Sequence, residues 1–247
     1  MVVPASKVLS WKILAAALCA LALAPALPAR AQDVFNMGML TNTLAQGGNI
    51  QSETARASSL PVFGSIIATP ARVRIDSAAI RYRPSLAVRA RNMKQFVENL
   101  RRVDPTSAGD LERTLSRRDV IAEVAGVMHP VGLDPNNLAD AMALYLVTAY
   151  YGVRGSTNSQ PSELRAVSMQ VARAISASPD LARASDALKQ EIAESMLINA
   201  VLADQAVQAA QKQPSAMPAI KAAIGKGARS AFGFDVAKLR LGPDGLN

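Results

Sequence analysis

The chain has 247 residues, half of them hydrophobic, which is enough for one packed core and one domain. Its single His excludes a zinc site built on a His pair, and its single Cys excludes an internal disulfide. The formal net charge of +8 brings anionic partners into consideration before any motif is read.

Residues 1–31 read as a secretory signal peptide. Lys7 and Lys12 give a positive start, Ile13 to Leu23 is an uncharged apolar run, and Ala29-Arg30-Ala31 supplies the small-x-small cleavage signature before Gln32. A retained membrane anchor fits less well, because Ile13 to Ala29 falls short of the ~20 residues a helical span requires and contains Pro25 and Pro28. Leu18 stands before Cys19 where a lipoprotein acceptor needs a small residue. Cleavage would remove the only Cys and the only Trp, Trp11, together with Lys7, Lys12 and Arg30, lowering the net charge by three to +5. The expected location is the bacterial periplasm or the outside of the cell, and no transmembrane helix is expected in the mature chain.

From Gln32 to Ile80 the composition is rich in Ser, Thr, Asn, Gln, Gly and Ala, broken by Gly47-Gly48, Pro61 and Pro70, with no sustained apolar period. Residues 32–80 are therefore read as a flexible lead-in. Pro61 to Ile67 and the alternation Arg72-Val73-Arg74-Ile75-Asp76 are at most short extended segments that dock on the domain.

Residues 81–247 carry the punctuation of an all-α domain, a single bundle of five to seven helices. Pro84-Ser85 starts a helix with Met93, Phe96, Val97 and Leu100 on one stripe, and Asp104-Pro105-Thr106 ends it. A short helix follows around Leu111 to Leu115, and Asp119 caps another with Val120, Val124 and Val127 or Met128, closed by Gly132. Asp134-Pro135-Asn136-Asn137 is a turn with a ready N-cap, and the segment that follows has no charge between Asp140 and Arg154; a helix apolar on every side is buried on every side, and this is the expected central helix. Pro161 opens the next, with Leu164, Val167, Val171 and Ile175 inward, and Ser178-Pro179-Asp180 stops it. Ser185 opens the longest, to about Gln211, with Leu188, Ile192, Met196 and Leu197 inward and Lys189, Glu194, Asp204 and Gln208 turned to solvent. A last helix from near Pro218 brings Ala223, Gly227 and Ala231 onto one side, and the tail from Gly233 is irregular.

Tyr82-Arg-Pro-Ser85, Asn92, Phe96, Gly132-Leu133, Asn137-Leu-Ala-Asp-Ala141, Tyr145, Gly227-Ala-Arg229 and Gly245 together resemble an uncharacterised family of secreted bacterial helical proteins, a domain of unknown function. The resemblance covers about Arg81 to Gly245. It implies an exported helical domain and brings no activity or catalytic residue with it.

No catalytic, cofactor-binding or metal-ligating constellation stands out, so the leading reading is a non-enzymatic binding or structural role in the envelope or outside the cell. The alternative is an enzyme with a site assembled around His129 and the cluster Tyr145, Tyr150 and Tyr151. Core packing for the tyrosines and a helix-end position for His129 are the plainer accounts. Asp140 suits the first-turn amides of its helix, and Glu191 and Glu194 read as exposed acids on a long helix. The basic residues concentrate between Arg72 and Arg102, where nine stand against Asp76 and Glu98 for a net +7. Within that stretch Arg81, Arg83, Arg89 and Arg91 are the candidate contacts for anionic lipid, lipopolysaccharide or an acidic protein partner. Nucleic acid is disfavoured, since only Tyr82 and Phe96 are placed to stack on bases.

Overall fold

The computed structural model describes residues 62–103 and 105–247. The expected signal peptide and residues 32–61 of the expected lead-in lie outside the described residues. The described residues include seven helices of nine residues or more: α1 (Leu86–Val103), α2 (Pro105–Arg117), α3 (Val120–Met128), α4 (Leu138–Gly152), α5 (Pro161–Ala177), α6 (Asp186–Lys212) and α7 (Met217–Phe232). No described helix is long and apolar enough to cross a membrane.

Local chemistry sets most of these boundaries. The side chains of Asp119, Asn137 and Ser185 accept from the first-turn amides of α3, α4 and α6, filling backbone donors the helices cannot satisfy themselves. Pro161 stands at the start of α5, whose first turn is closed by Gln160 and Glu163 bonding each other's backbone amides. Gly132 and Gly233 leave α3's trailing turn and α7 at φ of 81° and 76°, values that side-chain-bearing residues rarely adopt.

The bundle is built around α4, as its charge-free run demands: every residue from Leu138 to Val147 is buried. α5, α6 and α7 pack directly on it. At its C-terminal end Gly152 lets α7 come close, since a Cβ there would stand 2.9 Å from Ile224 Cδ1. Tyr145, at mid-helix, stacks on Phe232 of α7 with ring centroids 5.8 Å apart.

Four features differ from the reading of the sequence. The core takes in side chains from before Arg81: single helical turns at Val62–Ser65 and Ser77–Ile80 place Ile66, Ala79 and Ile80 among the buried residues, so the lead-in expected to run to 80 is packed at this end. The apolar runs there are too short to make a period, but both turns pack against α5 and the first also against α7. α2 has 13 residues, reaching well beyond Leu111 to Leu115 at its N-terminal end, and starts at Pro105, which serves as a first-turn proline and not as a stop. α6 is not a one-sided helix: Lys189, Glu191, Glu194 and Asp204 are buried with its apolar residues, because α1, α3, α4 and α7 all pack against it. The tail is not irregular throughout, for Leu241–Gly242 (β1) and Gly245–Leu246 (β2) form a two-stranded antiparallel hairpin.

Candidate functional site

The residues that enter α1 form a polar seam between α1, α6 and the turn before α4. Tyr82 is buried and its hydroxyl donates to Pro135 O at 2.8 Å, while its amide donates to Asn136 O. Burial, reinforced by Glu194, pushes its phenol well above the ordinary range, so it stays a neutral donor. Three residues on, the Ser85 amide and carbonyl are both held by the Gln190 side chain, at 2.8 and 2.9 Å. Glu194, one turn further along α6 and with a side chain only 1% exposed, accepts from Arg89 Nε at 2.9 Å, Asn92 Nδ2 at 2.7 Å and Gln190 Nε2 at 2.9 Å. A buried carboxylate needs such a shell to offset its desolvation. Lys189 ties in the chain before α1, donating to Ala78 O at 3.2 Å and Ala182 O at 3.3 Å, with burial lowering its pKa.

A second seam locks the start of α4. Asp140 accepts from the Asp134 amide at 2.9 Å and from the Ser168 hydroxyl of α5; burial raises its pKa against the lowering pull of those two bonds. The family-like residues Tyr82, Ser85, Asn92, Asn137, Asp140 and Tyr145 thus occupy structural junctions. Sequence reasoning missed their partners Gln190, Glu194 and Ser168, and the available signal was the one-turn spacing of two polar side chains on an apolar helix face.

The four candidate arginines separate into three environments. Arg81 makes a surface ion pair with Asp134 at 3.1 Å. Arg89 is half-buried between Glu194 and Asp119, the latter 3.2 Å from Nη1. Arg83 and Arg91 are exposed and have no hydrogen bond or ion pair among the described residues. His129 is exposed at the end of α3, and the tyrosines each have a packing or bonding role. Tyr145 is sealed in the core, Tyr150 lies under the Arg154 guanidinium 3.6 Å from its centroid, and the Tyr151 hydroxyl donates to Glu163 at 2.8 Å. The structure does not bring a Tyr145 hydroxyl and His129 to one accessible place.

An open groove of about 430 Å³ lies between α1 and the corner where α2 meets α3. Leu86, Ala90 and Met93 line it from α1, and Leu115, Arg117 and Val120 line it from the corner. Leu86 is 79% exposed, a large apolar side chain left outside the core. Arg118, also at the wall, is held by both oxygens of Glu123 at 2.7 and 2.8 Å.

Compared with known proteins, residues 11–247 match the model of a Family of unknown function (DUF6683). No curated protein and no solved structure matches the chain.

Proposed function

We propose, on the premise that the chain belongs to this family of unknown function, that it is an exported, non-enzymatic binding protein that meets an anionic lipid surface through its basic stretch. One observation carries the reading: Arg72, Arg74 and Arg83 are exposed and make no ion pair or hydrogen bond among the described residues, and Arg91 is exposed with only the longer-range pull of the buried Glu191 on it, whereas Arg81, Arg89, Arg101 and Arg118 are all committed to acids. Unpaired guanidinium groups keep their full charge for an external partner, and each basic residue near an anionic membrane surface contributes about 1 kcal/mol. The periplasm or the cell exterior is the compartment in which this would happen, with residues 1–31 removed; an intact mass that begins at Gln32 supports export and one that retains Trp11 rejects it.

The binding test is cosedimentation with phosphatidylglycerol vesicles at low and high salt. Arg83→Gln with Arg91→Gln is expected to lower vesicle partitioning by roughly fivefold per arginine while the far-UV circular dichroism stays that of the parent. Added salt is expected to release the protein. Absence of binding at low salt, or binding that ignores both salt and the substitutions, rejects the reading.

A further inference from the structure

We propose that the groove between α1 and the α2–α3 corner binds a single-chain anionic amphiphile, an alkyl or acyl chain ending in a carboxylate, sulfate or phosphate. This rests on the reading that the protein meets anionic lipid, and it names the part of such a molecule the fold would hold. The volume, about 430 Å³, falls in the range of small-molecule sites and is too small for a folded partner. Along α1, Leu86, Ala90 and Met93 recur at i, i+4 and i+7, which makes one continuous apolar stripe on the groove wall, with Leu115 opposite. The exposed end of that stripe is Leu86, and an alkyl chain laid along it removes apolar surface from water that the fold itself leaves open.

Charge decides which end group fits. Arg117 has no hydrogen bond or ion pair among the described residues, and it stands at the groove wall. Each other charge there is already matched: Arg89 by Glu194 and Asp119, Arg118 by Glu123, and Asp119 by Arg89 and the Ala122 amide. The groove therefore offers one uncommitted cation and no uncommitted acid, which selects an anionic head and disfavours a cationic one.

The test is calorimetric titration of the purified protein with octanoate, decanoate and dodecanoate below their micellar concentrations, with dodecyltrimethylammonium as the cationic counterpart. The expected result is saturable one-to-one binding that tightens by up to about fourfold per added CH₂ and is absent for the cation. Ala90→Trp, at an exposed position on α1, fills the groove and is expected to abolish dodecanoate binding without lowering the melting temperature. Arg117→Gln is expected to weaken it about tenfold while leaving the chain-length dependence intact. No saturable binding, equal binding of the cation, or binding that survives Ala90→Trp overturns the proposal. Arg83→Gln with Arg91→Gln leaves dodecanoate binding unchanged, so dodecanoate binding without vesicle binding rejects only the surface reading, and the reverse rejects only the groove.

Discussion

Arg81 and Arg89 each reach a carboxylate at about the same distance, 3.1 and 2.9 Å, yet the two contacts differ in what they hold up. Arg81 stands in solvent and Asp134 is partly exposed, so screening and side-chain entropy cancel most of the attraction. Arg89 faces a carboxylate sealed from water; burial of the guanidinium is the largest single influence and lowers its pKa, but its bond to Glu194 together with the charges of Glu194 and Asp119 outweighs it and leaves the pKa raised. Arg89→Met is therefore expected to cost about 3 to 5 kcal/mol, because it leaves the Glu194 charge buried and short of a partner, and Arg81→Met less than about 1 kcal/mol. Urea unfolding of the two variants at neutral pH checks the contrast; equal midpoints reject it. Nothing local in the sequence separates the two arginines. Their difference comes from Glu194, which enters the site from 105 residues further along.

Two helices of this bundle are buried all round, and only one announces it. In α4 the absence of charge between Asp140 and Arg154 states the burial directly, and the sequence reading found its N-cap, its extent and its central place. In α6 the acids and Lys189 imitate a solvated face, and what overrules that pattern is the set of helices packed around it, a tertiary fact with no local mark. The acids that result have a measurable signature. Burial pushes Glu191 up to about 7, with Arg91 pulling down and Glu194 pushing up, and burial pushes Asp204 up to about 7 against its bond from Gln208. A carboxyl that holds its proton to about pH 7 when folded and releases it near 4 when unfolded stabilises the fold fully below about pH 4, and that contribution is lost as pH rises to 7. Glu191→Gln is expected to raise stability by about 2 to 3 kcal/mol at pH 8 and to change little at pH 4. Thermal unfolding at the two pH values decides it, and an equal effect at both rejects the assignment.

For the molecule as a whole, the helix order, five of the helix starts and the central helix were readable from caps, prolines and apolar periods, while the packing of residues 62–80 was not. Ile66 and Ile80 sit in apolar runs too short to show a period, and what makes them core is the packing of this stretch on the bundle. Limited proteolysis is accordingly expected to leave a resistant fragment whose first residue lies upstream of Ile66; mass spectrometry of a core that starts at or after Arg81 would reject that. At the other end, Gln170 of α5 holds Leu246 from both sides, donating to its carbonyl at 2.8 Å and accepting from its amide at 2.9 Å, with Gly245 at φ 110° to admit the close approach. Gln170 is buried, and its partner follows 76 residues later. In a chain synthesised from its N-terminus, α5 exists in full while the strand that satisfies its amide has yet to emerge. An unmet buried amide is unfavourable, so water is the partner of the Gln170 side chain until β2 arrives, and this end of α5 closes only once a strand 76 residues further along is in place.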